Sequence, residues 1–135
     1  MLEKFSNQGS DLIVTFVESV PVKPGVTCDV YIHPETGERD LGIITIEPGE
    51  KTPLQKVLEG ELTIEGYLSG EGTLTITHVD GTTSVMKVDS SAEGFCYSVG
   101  LGECMQWEAG PNQQLVVFEI CFPPYKEGRY QDIAE

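Results

Sequence analysis

The chain predicts an all-β fold, a sandwich or barrel of jelly-roll type. Three observations predict it. Short β-rich runs recur along the length, Gly, Pro, Asp and Asn signals separate them, and no long segment carries a helical period. About ten short strands at this spacing are what a two-sheet β architecture needs.

The runs follow in order. Residues 12–18, LIVTFVE, are rich in β-branched and aromatic side chains and end before PVKPG. Residues 26–32 alternate, with Val26, Cys28, Val30 and Ile32 on one face and Thr27, Asp29 and Tyr31 on the other. The polar loop HPETGERD leads to residues 41–47, LGIITIE, which stop at Pro48-Gly49. A short run at 55–58 precedes residues 62–68, LTIEGYL, which end in the turn SGEG. Residues 73–79 place Leu74 and Ile76 on one face and Thr73, Thr75 and Thr77 on the other. Asp80-Gly81 then signals a hairpin into residues 83–88. Runs at 95–99 and 104–108 follow. Residues 115–122, LVVFEICF, are apolar on both faces, as a central strand requires, and end at Pro123-Pro124, which cannot continue a ladder. The tail YKEGRYQDIAE carries no strong pattern and is expected to pack across the barrel surface through Tyr125 and Tyr130. The expected organisation is one domain over residues 1–135, with its core in about 38–122 and a C-terminal tail over 123–135.

Composition narrows the function. A hydrophobic content of 39% in 135 residues suffices for one packed core. The net charge of −14 repels nucleic acid phosphates and anionic membranes, and the eight basic residues are scattered. No run approaches the ~20 apolar residues of a membrane span, and the N-terminus has no cleavage signal, so a cytoplasmic location is expected. Cys28, Cys96, Cys104 and Cys121 lack zinc-like spacing and read as small buried hydrophobes.

Residues 49–72 read GEKTPLQKVLEGELTIEGYLSGEG. With their flanks, residues 41–76, they resemble the first motif of the cupin superfamily: a glycine turn, two histidines one residue apart, a glutamate and a second glycine. Residues 103–118, ECMQWEAGPNQQLVVF, resemble the second motif, with Trp107 as its aromatic and Gly110-Pro111-Asn112 as its turn. The ending EICFPPYKEGRYQDI is similar to that of small single-domain cupins. The resemblance covers residues 38–130 and implies a cupin β-barrel, the double-stranded β-helix. It also implies a homodimer formed by sheet-to-sheet or strand-exchange contacts.

The motif's histidines are missing. Gln55 and Val57 stand at the first two histidine positions and Met105 at the third, while the glutamate falls on Glu61 or, counted back from Gly70, on Thr63. A valine and a thioether are poor donors for iron, manganese or zinc, so no metal and no other cofactor is expected. The resemblance then implies a pocket lined by Gln55, Val57, Thr63, Tyr67, Met105 and Trp107 that binds a small organic molecule. An alternative is a metal-independent isomerase, cyclase or lyase that uses Glu61 or Glu65 with Tyr67 as acid–base groups. A third is a non-catalytic structural module with a filled interior.

Several residues carry two readings at this point. Glu61, Thr63, Glu65 and Tyr67 form one stripe, which either walls a cavity or faces solvent while Leu62, Ile64 and Leu68 face the core. Glu119, inside an apolar run, either points into the barrel or pairs with Lys56 or Arg129. Trp107, Met105, Phe118 and Tyr97 either line a pocket or are plain core. His33 and His78 read as solvent-facing loop ends without a catalytic role.

Overall fold

Twelve strands and one short 3-10 turn (Ser90–Ala92) make up the regular structure of the described residues. The structure is a computed structural model that describes residues 2–7, 10–35, 37, 39–60, 62–122 and 130–133. The strands are β1 (Leu2–Asn7), β2 (Ser10–Lys23), β3 (Val26–Ile32), β4 (Arg39–Ile46), β5 (Gln55–Val57) and β6 (Leu62–Ser69). Then come β7 (Gly72–Thr77), β8 (Thr83–Val88), β9 (Cys96–Gly100), β10 (Cys104–Ala109), β11 (Leu115–Phe122) and β12 (Tyr130–Asp132). They form a seven-stranded sheet, β1-β2-β3-β4-β11-β6-β9, and a five-stranded sheet, β12-β5-β10-β7-β8, with every pairing antiparallel. This is the expected jelly-roll.

Two strands exceed the expected set of about ten. β1 reads LEKFSN, without the apolar alternation that marks a half-buried strand, and among the described residues it pairs with β2 alone. β12 has three residues and forms because β5 offers it an edge. β2 runs on through Pro21, which lies beyond the part of β2 that β1 covers, and the β2–β3 register shifts beside it. An edge position with a bulge is where a strand tolerates proline. The expected hairpin is present: β7 pairs β8 throughout, and Gly81 adopts a φ of 89° in its turn.

The interior between the sheets is filled by Val26, Ile46, Leu74, Ile76, Leu115 and Val117, among others. A second apolar layer lies on the other face of the large sheet. There Leu41, Phe118 and Ile120 meet Val14 of β2 and Phe5 of β1. Phe5 meets Phe118 edge-on at a ring separation of 5.0 Å. The N-terminal hairpin therefore covers the outside of the sheet, and the core extends beyond residues 38–122 to Val14, Val26 and Cys28. Phe118 itself lies over Gly66, where an added Cβ would stand 2.0 Å from the ring. Burial on both faces explains why residues 115–122 are apolar throughout.

Candidate functional site

β6 and β11 are neighbours in the large sheet, and their register sets Glu119 directly opposite Glu65. Thr63, Glu65 and Tyr67 alternate with Ile64, which packs into the outer layer, and Leu68, which is exposed. The stripe thus faces the interior, and the solvent-facing alternative is excluded for these three residues. Glu61 lies outside the described residues. Glu119 also points inward, with Val117 and Cys121 on the same side of β11.

Each carboxyl receives a donor from the opposite sheet. Trp107 on β10 donates its indole N–H to Glu65 Oε1 at 2.8 Å. Tyr130 on β12 donates its hydroxyl to Glu119 Oε1, also at 2.8 Å. The Tyr130 oxygen also lies 3.1 Å from Thr63 Oγ1 and 2.9 Å from Cys121 Sγ. Tyr130 therefore turns into the barrel instead of packing across its surface; Tyr125 lies outside the described residues. Glu119 takes the barrel-interior position, and Arg129 is not among the described residues.

The pair is deeply buried: Glu65 is 1% exposed and Glu119 is 9% exposed. Burial holds the Glu65 carboxyl well above the ordinary carboxylate range, and the Glu119 charge raises it further, against the opposing pull of the Trp107 N–H. Among the described residues, Glu65 Oε2 is buried and accepts from no N–H or hydroxyl group. Its neighbour, the Glu119 carboxyl, is an acceptor too, and the closeness of the two favours the protonated form of Glu65. Burial also pushes the Tyr130 phenol far up, with Glu119 adding to the effect.

A cavity of about 180 Å³ adjoins these groups. Its walls are apolar, from Val20, Val26, Val30, Ile44 and Met105, and Glu65, Glu119, Tyr130, Trp107 and Gln55 supply the polar edge. Loop residues 47–54 close one side by docking on β10. There Thr52 N–H donates to Trp107 O at 2.9 Å, and Trp107 N–H returns a bond to Thr52 Oγ1 at 3.0 Å. Val22 both lines the cavity and is 40% exposed, so the cavity reaches the surface beside the end of β2.

Of the expected pocket residues, Gln55, Met105 and Trp107 line this cavity, and Thr63 touches it indirectly through Tyr130. Val57 is buried in the core beside it. Tyr67 donates its hydroxyl to Gly70 O at 2.7 Å, away from the carboxyl pair. Phe118 belongs to the outer layer, not the pocket, and Tyr97 packs at the edge of the interior. Sequence reading did not place two residues of this candidate site. Tyr130 carried no signal beyond its place in a polar tail. Glu119 did carry one, a charge inside an apolar strand, but its partner depends on strand register.

His78 differs from its expected solvent-facing position. Its Nδ1 meets Glu103 Oε2 at 2.5 Å and its Nε2 meets Ser84 Oγ at 2.7 Å. Glu103 Oε1 in turn accepts from Gly100 N–H at 2.8 Å. This chain ties β7, β8 and the turn before β10 together. Cys28 and Cys121 are buried and Cys96 and Cys104 half-buried.

Many solved structures share this architecture. The chain aligns over 90% of its length with the capsular polysaccharide assembling protein CapF of Staphylococcus aureus, at a TM-score of 0.67 and 12% identity. It spans about a third of CapF, 34% of that chain. It aligns with the Drosophila melanogaster CENP-C cupin domain over 80% of its own length and 74% of that chain, at a TM-score of 0.60 and 15% identity. It aligns with the polyketide cyclase RemF of Streptomyces resistomycificus over 88% and 81%, at a TM-score of 0.59 and 19% identity. The chain has the cupin fold. No model of a known protein family matches the sequence, and no curated protein matches it either.

The cupin barrel carries an unusual donor set. The positions that the resemblance aligns with metal-binding histidines hold the amide Gln55, the alkyl Val57 and the thioether Met105. Among the described residues, no group of three or more His, Cys, Asp and Glu side chains is arranged to hold a metal ion. A first-row divalent cation favours imidazole and carboxylate donors, so these residues do not fit one. No helix of the described residues is long and apolar enough to cross a membrane.

Proposed function

We propose that this cupin barrel binds a small organic molecule in the cavity between its sheets, without a metal. One observation carries the proposal: an apolar cavity of about 180 Å³ with two buried carboxyls on its wall. Buried carboxyls opposite each other cost stability unless something else requires them. A few convergent polar groups in an otherwise apolar concavity are the usual composition of a ligand site. The size suits a ligand of about one ring, since a dry cavity of roughly 150 Å³ accepts benzene.

The test is calorimetric titration with ring-sized organic compounds, alongside Val30→Phe, which fills the cavity from β3. Binding is expected in the parent chain and absent from the folded variant. If no such compound binds, the reading fails.

A second reading is supported by the same pair. A carboxyl held protonated beside a carboxylate is an acid and a base in one place. A metal-independent isomerase, cyclase or lyase would use Glu65 and Glu119, with Tyr130 fixing the second. RemF, a polyketide cyclase of the same fold, gives that reading a precedent in architecture only. It predicts solvent hydrogen exchange into a bound carbon acid, lost in Glu119→Gln.

The homodimer remains part of the proposal. Ile13, Phe16 and Val17 on β2 are each nearly half exposed and offer apolar surface for such a contact. Sedimentation should give about twice the 14.8 kDa chain mass, and Val17→Glu should return it to a single chain. A parent chain that sediments as a monomer overturns this part.

A further inference from the structure

We infer that the barrel cavity takes a small organic cation, a primary or secondary amine with an apolar body, held between Glu65 and Glu119. This rests on the small-molecule reading above and names its ligand class. The first argument is charge. Two carboxyls line the cavity, and no Lys, Arg or His is among its described lining residues. The second is an acceptor poorly served by the protein. Among the described residues no N–H or hydroxyl group reaches the buried Glu65 Oε2, and its neighbour Glu119 is another carboxyl, which offers a donor only when one of the two is protonated. An ammonium brings two or three N–H donors and one positive charge, so it serves both carboxyls at once.

The walls argue for an apolar body. Val20, Val26, Val30, Ile44 and Met105 offer no hydrogen bonds, so a polar backbone on the ligand would be desolvated without return. An anionic ligand would add a third negative charge beside the pair. A neutral alcohol could donate to one carboxyl but would leave the Glu65 proton in place.

The groups around the pair set its proton balance. Glu65 comes from β6, Glu119 and Cys121 from β11, Tyr130 from β12 and Cys28 from β3. Tyr97 on β9 stands at the register position opposite Glu65. β10 contributes Trp107 and Met105, and β5 contributes Gln55, none of which titrates. Burial and the Glu119 charge favour the protonated form of Glu65, and a cation bound between the carboxyls reverses that preference. The exchange is balanced: one ammonium enters and one proton leaves to solvent. Affinity therefore rises with pH until the amine itself loses its proton.

The test uses the full chain and three ring-sized probes, benzylamine, benzyl alcohol and benzoate, titrated in two buffers of different ionisation enthalpy. Benzylamine should bind at least about tenfold more tightly than benzyl alcohol, with close to one proton released, and benzoate should not bind. Glu65→Gln keeps an acceptor for Trp107 and provides a donor to Glu119, so it preserves the local bonding. In that variant the preference for the amine should fall below about threefold. Equal binding of alcohol and amine in the parent chain overturns the cation assignment and leaves the small-molecule reading standing. An amine affinity unchanged in both Glu65→Gln and Glu119→Gln overturns the site. Failure of all three probes overturns the reading and the inference together.

Discussion

Glu65 stands directly opposite Glu119 across the β6–β11 pair, and each carboxyl is bonded by a residue of the facing sheet, Trp107 for one and Tyr130 for the other. Trp107 and Tyr130 thus join the two sheets through polar contacts in a largely apolar interior. Stability and the proposed binding both rest on that arrangement.

Stability should depend on pH through Glu65. Its carboxyl is held above its unfolded value, so the folded chain binds the proton more tightly than the unfolded chain does. That contribution is full below the ordinary carboxylate range, near about pH 4, and is lost as pH rises through the raised folded value. Thermal melts between about pH 4 and pH 8 should show the parent chain losing stability as pH rises, with a weaker slope in Glu65→Gln. Equal slopes would show that the pair does not hold a proton.

Removing either cross-sheet donor should destabilise the fold. Trp107→Phe leaves Glu65 Oε1 without its indole N–H, and Tyr130→Phe leaves Glu119 Oε1 without its hydroxyl. Each loss should cost about 1–3 kcal/mol, the penalty for an unsatisfied buried polar group. Trp107→Phe should cost more, because its smaller ring also opens space at a position 1% exposed. Urea unfolding measures both, and a change below about 0.5 kcal/mol in Tyr130→Phe would contradict the assignment.

Gly66→Ala tests the outer layer. The new methyl would collide with the Phe118 ring, which is also packed against Phe5. Overpacking of this kind costs about 1–3 kcal/mol. Pairing it with Phe118→Leu should recover part of that loss, because the ring that blocks the methyl is gone.

The part-buried chain through His78 should be structural. Glu103→Ala removes the acceptor of both His78 Nδ1 and Gly100 N–H. A loss of about 1–2 kcal/mol is expected, with amine binding in the barrel unchanged. A change in binding there would mean that the turn before β10 controls the pocket.

Much of the fold was legible because alternation and turn chemistry are local. Leu74 against Thr75 marks a strand with no knowledge of its partner, and Asp80-Gly81 marks a hairpin by backbone preference alone. β1 and β12 were not legible, because their ordering depends on the edges of β2 and β5 and not on their own side chains. The site divides in the same way. Met105 and Trp107 could be placed by motif, as could the loss of the histidines. The direction of the Thr63–Glu65–Tyr67 stripe could not, since a strand with two unlike faces does not reveal which is covered. Here the N-terminal hairpin covers the apolar face, so the polar face is the one turned inward. Glu119 announced itself as anomalous, but only register names Glu65 as its counterpart.

Strand β11 has no idle side. Phe118 and Ile120 are pressed beneath the N-terminal hairpin, while Val117, Glu119 and Cys121, alternating with them, form the wall of the barrel. The backbone that one set anchors is the backbone that aims the other. Loosening the hairpin would release the segment that holds Glu119 against Glu65. The placement of Glu119 in the pocket therefore leans on two aromatic rings, Phe5 and Phe118, that meet behind the strand.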